Sequence, residues 1–284
     1  MAGEAKTNAF VLASATVMIG PVASLYDLTP TANSLGLVKN VQCSQTPTYV
    51  DLTQGAKNTI VESVLTNNVT KINFEVFEYT SSNLAYGLGL EGYNLTSPTS
   101  QGPFLLSTAL TGSTMSPVDT LTFTYSADVS GQFLQGGWIA IQELNGLNDH
   151  VHPAMLTANA TVTSTGTAPN MVYTHTLTFA NQGLKTGNNF PVGSAVMPVQ
   201  NMAIGTKNEQ PFHSAKITAV LPSNNQPMTM FFPKVKIIKG FSVSFDSSAF
   251  GNMPFELQPF ELLPTDPFYA NFIGQGVGTL FAST

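Results

Sequence analysis

The run Asp149-His150-Val151-His152 is the cluster in this chain whose residue types suit a metal. In an extended segment His150 and His152 share a face and would chelate a divalent ion, with His175 or His213 as a distant third ligand. Neither an i, i+4 histidine pair nor a CxxC pattern reinforces it, and the plainer reading is a polar loop after Asn145-Gly146, with His152 ahead of Pro153. Gly87-Leu88-Gly89-Leu90-Glu91-Gly92 matches G-x-G-x-x-G. A dinucleotide site needs a helix opening at those glycines, so that its N-terminus faces a pyrophosphate. Here Tyr93-Asn94-Leu95-Thr96-Ser97-Pro98 follows, which is a turn, so the glycines read as a helix stop and a loop. Cys43, the single cysteine, excludes an intramolecular disulfide, and its place in an alternating strand makes it a small core residue. Glu256 and Glu261 lie five apart and face opposite sides of an extended chain, which does not make a carboxylate pair. With no nucleophile elbow and no Walker loop, the expectation is a protein that is not an enzyme, with no metal and no cofactor.

The elements that carry these residues alternate with period two. Ile72, Phe74 and Val76 oppose Lys71, Asn73 and Glu75 across Lys71–Glu78. Val235, Ile237, Phe241, Val243 and Phe245 share one parity across 235–245, broken by Lys239, while Lys236, Ser242 and Ser244 take the other, with Lys234 and Asp246 just outside. Within Leu35–Ser44, Leu37, Val41 and Cys43 oppose Val38, Asn40, Gln42 and Ser44. Each is a strand with one buried face. Leu121–Tyr125, Gly137–Glu143, Tyr173–Phe179 and Ser214–Leu221 add further strands, separated by turn clusters such as Ser223–Pro227 and Lys185–Asn189. One short helix is predicted, capped by Ser81-Ser82-Asn83 and stopped at Gly89. Gln54–Thr66 reads as a long ordered loop or a strand extension. The tandem Phe255–Pro259 and Phe260–Pro264 suits an edge or bulged strand, because its prolines cannot donate to a ladder.

Composition narrows the function classes. Of 284 residues only 9% are charged, against about 25% in an ordinary soluble domain, and all ten basic residues are lysine. Readers of nucleic-acid sequence use arginine forks and basic patches, so this chain is not expected to be one. Disorder is excluded by 43% hydrophobic residues, 19 of them Phe. A surface so poor in charge is covered by Ser, Thr, Asn and Gln or by other copies of the chain, which points to an assembly subunit. The uncharged run Thr7–Tyr26 is interrupted by Asn8, Ser14, Thr16, Pro21 and Ser24, and the opening MAGEAK is barely basic, so neither a bilayer span nor a signal peptide is expected.

Two blocks carry a family resemblance. The first runs from Ser34 to Leu90 through Leu35-Gly36-Leu37-Val38-Lys39-Asn40, Asp51-Leu52-Thr53-Gln54-Gly55, Phe74-Glu75-Val76-Phe77-Glu78-Tyr79-Thr80 and Asn83–Leu90. The second runs from Gln210 to about Phe272 through Pro211–Lys216, Phe232–Lys236 and Met253–Leu257. Both resemble the tail tube (major tail) proteins of tailed bacteriophages. The resemblance implies a mainly β fold of the tail-tube type, a β-sandwich or barrel with one short helix. Residues 1–92 and 211–284 together would form the tube-like domain, and 93–210 a β-rich insertion or a continuation of the same sandwich. It also implies a structural virion protein, assembled in the host bacterial cytoplasm, whose hexameric rings stack into a tube around a channel for DNA ejection. Its partners would be further copies and the tape measure, tail tip and tail terminator proteins, with DNA only as passenger and no membrane.

On that reading Asn40, Gln42, Ser44, Asn73, Glu75, Ser242, Ser244 and Asp246 are expected to face the lumen. Asp51, Gln54, Lys57, Asn58 and Glu62 are expected in a ring-stacking loop, acting with the N-terminal arm 1–10. A head decoration or fibre subunit, or a carbohydrate-binding β-sandwich, is the alternative.

Overall fold

The computed structural model describes residues 15–54, 59–94, 103–111, 118–143, 151–180, 189–205, 209–220, 227–243 and 251–282. The fold is mainly β, with 54% of the described residues in strands and 12% in helices, and the described helices are all short. The chain divides into two compact units, one made of residues 1–95 and 203–284, the other of 96–202.

The first unit begins with β1 (Ala15–Pro21), β2 (Val38–Gln54) and β3 (Thr59–Val76). The second unit contributes β4 (Phe104–Leu105), β5 (Leu110–Thr111), β6 (Val118–Tyr125), β7 (Trp138–Gln142), β8 (Val151–Met155), β9 (Thr161–Thr165), β10 (Val172–Ala180), β11 (Asn189–Phe190) and β12 (Ala195–Val199). The chain then returns to the first unit as β13 (His213–Val220), β14 (Pro227–Lys239), β15 (Met253–Pro259) and β16 (Thr279–Ala282).

In the first unit an antiparallel sheet runs β1-β13-β14-β15-β3-β2, and β16 also pairs with β14. The alternation expected of β3 holds: Ile72, Phe74 and Val76 are buried against Val17, Ile19, Ile217, Val235, Ile237, Phe255 and Leu257. Burying a side chain of this size contributes about 1.5–3 kcal/mol, so this single face dominates the unit's stability. The other face carries a smaller cluster, in which Leu25, Leu28, Leu262 and Phe272 cover Met18. The helix Ser81–Gly87 plugs the main core with Ala85 and Tyr86. Its cap is Thr80, one residue ahead of the expected serines, whose side chain accepts the Asn83 N–H at 3.1 Å. Gly89, at φ +76°, ends it as predicted.

Three strand readings are corrected. The strand expected over 235–245 stops at Lys239, and Phe241, Ser242 and Val243 lie exposed beyond it. The cause is a backbone contact: a methyl on Gly240 would sit 2.8 Å from Gly87 Cα, and one on Gly87 would sit 2.9 Å from the Gly240 carbonyl oxygen. Only two glycines allow the helix end and the strand end to touch. The parity expected of Leu35–Ser44 is broken by left-handed residues at Gly36 (φ +77°) and Asn40 (φ +54°), and a bulge separates the pairs Lys39–Glu75 and Gln42–Asn73. Leu37 is therefore exposed and Val38 buried, while Cys43, opposite the buried Ile72, is an exposed free thiol instead of a core residue. Third, β15 is central, between β14 and β3, so the edge reading fails, while its pairing with β14 carries a register shift between Ile237 and Lys239, as the bulged alternative has it. It tolerates its prolines because Pro254 and Pro259 stand near its two ends.

Gln54–Thr66 follows the strand-extension reading. β2 and β3 form one long antiparallel ribbon, with Gln54 opposite Thr59 at the last described pair.

The second unit has sheets β6-β10-β9, β4-β12-β7-β8 and the small pair β11-β5. Its core holds Phe104, Phe123, Phe133, Ile139, Ile141, Leu177, Phe179 and Val196. The outward parity of the three-stranded sheet is almost all threonine: Thr120, Thr122 and Thr124 pair with Thr178, Thr176 and Thr174, and the last two pair in turn with Thr161 and Thr163. Thr is β-branched and keeps a polar tip, so it fills a solvent-facing strand without charge. His175 is buried on the inner parity, stacked on Phe123 at 4.7 Å, and its Nε2 accepts the Val129 N–H at 3.0 Å.

Candidate functional site

In the first unit, residues directly opposite one another in the ladders share a face. Gln42, Asn73 and Glu256 form one row, Lys39 and Glu75 another, and Ser44 stands opposite Lys71. This polar face backs the buried row Ile72-Phe74-Val76. Of the residues expected to line a lumen, Gln42 is exposed and Ser44, Asn73 and Glu75 are half-buried on this face. Asn40 is exposed at the bulge, and Ser242 lies past the strand end. Ser244 and Asp246 are outside the described residues.

Two lysines of this face are set beside carboxylates. Lys71 Nζ lies 2.6 Å from Glu256 and Lys236 Nζ lies 2.8 Å from Glu209, while the Lys39 ammonium sits over the Phe77 ring, 4.7 Å from its centroid. The Lys236 contact holds the Glu209 carboxyl below its ordinary range. Ion pairs of this kind offer little net field beyond the Debye length of about 8 Å at physiological salt.

Beyond this face the ribbon of β2 and β3 is exposed on both sides. Tyr49 opposes Leu65 on one face, and Val50 opposes Val64 on the other. These four residues, with Leu52, Ile60 and Val61, are each at least half exposed. Of the residues expected in a ring-stacking loop, Asp51, Gln54 and Glu62 lie in this ladder, while Lys57 and Asn58 are outside the described residues. The Ser63 hydroxyl donates to the Asp51 carboxylate across the strands. An isolated two-stranded ribbon is at best marginally stable in water, and exposed apolar side chains on both faces add to that cost. The both-sided exposure was not readable from sequence, because Gln54–Thr66 has a β-branched content that fits a strand buried on either face.

The remaining chemistry is structural. Among the described residues no group of three His, Cys, Asp or Glu is placed to hold a metal. Asp149 and His150 are outside the described residues, and His152 is part of β8. The G-x-G-x-x-G run starts at Gly87, the last residue of the helix Ser81–Gly87, and ends at Gly92, the first residue of a single 3-10 turn, Gly92–Asn94. His213 is buried beside the rings of Tyr86 and Tyr93, and burial pushes its imidazole down to about 4 despite the opposing charge of Glu91. Cys43 lies on a groove wall where desolvation raises its thiol pKa, the opposite of an activated nucleophile. Lys234, nearly buried, bonds Asp266 at 2.6 Å, and it packs with Lys236 against the Phe212 ring. That bond holds the Asp266 carboxyl low and ties 262–272 to the sheet. Among the described residues no helix is long and apolar enough to cross a membrane.

No protein-family model and no curated protein matches the chain.

Proposed function

We propose that this chain is a self-assembling structural subunit of a phage tail tube, in which copies form hexameric rings that stack around a channel passed by DNA. The observation that carries the reading is the β2–β3 ribbon, apolar on both faces and uncovered in the single chain. Only other protein surface removes that area from water, and the partner most available to a virion subunit is another copy. The outer edges of β1 and β2, free of ladder partners among the described residues apart from a single bridge at Met18, support the same conclusion. Long unblunted edges invite strand pairing, and a closed ring removes them. The polar face, with Lys71 and Lys236 each paired to a carboxylate, suits a wall past which a polyanion slides without sticking. The family resemblance in 34–90 and 210–272 narrows an assembly subunit to a tail tube.

The test is negative-stain microscopy with mass measurement on the purified protein. Hollow tubes or six-fold rings are the expected result. A persistent monomer overturns the reading and favours a decoration, fibre or carbohydrate-binding protein.

A further inference from the structure

A groove of about 790 Å³ opens in the first unit where the ribbon leaves the sheet. β14 changes partner along its length: Val235–Lys239 pairs with β15, and Met228–Phe231 pairs with β16. β3 pairs with β15 only from Ile72 to Val76. Below Ile72, β3 would lie next to β16 in a flat sheet, but among the described residues the two do not pair. β3 therefore splays away, and the groove is the wedge between them. It is lined by Met228, Met230 and Phe232 of β14, by Cys43 of β2 and Thr70 of β3, and by Leu280 of β16 with residues 275–278 ahead of it. Both walls end in strand edges whose N–H and C=O groups lack a ladder partner among the described residues, β3 over Thr59–Lys71 and β16 over Thr279–Ala282. An extended segment entering the wedge would find main-chain bonding on two sides and an apolar, adaptable lining.

We propose that this groove is the socket for the β2–β3 ribbon of a second copy. The chain carries both halves of the contact: a ribbon with Val50, Leu52 and Val64 in the open, and a wedge lined by methionines and phenylalanine. Beyond Ile72 the ribbon's strands pair only with each other among the described residues, so the proposal takes a second copy as the occupant. Plug and socket are different surfaces, so the interface is heterologous and propagates into a ring or a filament instead of stopping at a two-fold dimer. The proposal rests on the self-assembly reading and deepens it by naming the surface the ribbon enters.

Cys43, the single cysteine of the chain, provides the test. A Cys43→Ser/Leu52→Cys double variant has its one thiol on the ribbon, and the unaltered protein has its one thiol in the groove. Mixed under mild oxidation, the two are expected to give a disulfide-linked heterodimer in clear excess over either homodimer on non-reducing gels. Leu280→Lys, on an exposed groove wall, is expected to abolish that cross-link and raise the concentration needed for assembly at least ten-fold, with the fold checked by circular dichroism. Absence of the heterodimer, or only homodimers, overturns the proposal. Tubes that form while Cys43 reacts with maleimide as fast as in the monomer overturn the socket and leave the tube reading standing. A cross-link between copies that never form rings or tubes supports the socket and removes the tube reading.

Discussion

The β2–β3 ribbon and the three-stranded sheet β6-β10-β9 answer the same problem in opposite ways. Both are antiparallel and rich in β-branched residues. In β6 and β10 every inward position over 121–125 and 175–179 is aromatic, aliphatic or His175, and every outward position is threonine. That sheet is complete as it stands, one face in a core and the other in water. The ribbon places Tyr49, Val50, Leu52, Val64 and Leu65 outward on both faces. Threonine would have served there equally well for strand formation, so the apolar choice has to be explained by burial that one chain does not supply. Where a polar β-former would do and an aliphatic one stands exposed, the sequence is specifying a partner.

Converting the ribbon to the chemistry of the threonine sheet breaks the comparison most directly. Tyr49→Thr, Val50→Thr, Leu52→Thr and Val64→Thr combined should raise the concentration for self-assembly at least a hundred-fold in sedimentation. The stability of the single chain should change by only about 0.5 kcal/mol per site in urea, as for surface substitutions generally. Unchanged assembly would mean that the ribbon is not an interface.

In the cores the expected effects are on folding. Phe123→Ala, at a fully buried ring stacked on His175, and Phe255→Ala, stacked on Phe74 at 5.4 Å, should each cost about 3–5 kcal/mol. Because the two rings belong to separate clusters, calorimetry should show each variant lowering a different transition. A common shift of one transition would show that the two units unfold as one.

A somewhat smaller loss is expected from Asp266→Asn. It leaves the nearly buried Lys234 ammonium without its carboxylate and should cost about 3 kcal/mol in chemical denaturation. Lys234→Met in the same background should recover much of that loss.

The mildest perturbation is pH. The folded His213 value of about 4 lies below the unfolded value of about 6.5, so between the two the unfolded chain binds more protons. The contribution is complete above about pH 6.5 and is lost as pH falls through 4, on the order of 3 kcal/mol in all. Urea midpoints at pH 7, 5.5 and 4 should fall less steeply in a His213→Phe variant, and parallel curves would show that His213 is not the group responsible.

How far the sequence could be read depended on whether the backbone stayed regular. β3 was legible because nothing interrupts its alternation from Lys71 to Val76, and the polar face containing Asn73 and Glu75 came with it. β2 was misread because a left-handed Asn40 and its bulge shift the parity, and residue type does not mark such a site strongly. The strand through Val235 was overextended because the alternation continues through Phe241 and Val243, while what stops it is a neighbour distant in sequence. The helix was placed correctly and its cap misassigned by one, since Thr80, Ser81 and Ser82 are chemically near equivalent as caps. The ion pairs of the polar face, Lys71 with Glu256 and Lys236 with Glu209, join residues far apart in sequence, so no local pattern could announce them.

The contact between Gly87 and Gly240 couples two boundaries that are usually independent. Helix Ser81–Gly87 cannot gain a residue without pushing into the strand, and β14 cannot continue past Lys239 without pushing into the helix. Variation in the lengths of these two elements should therefore be correlated, an insertion in one tolerated only with a change in the other. The pair acts as a ruler, fixing how far the helix reaches over the sheet and so the thickness of the body from which the ribbon projects.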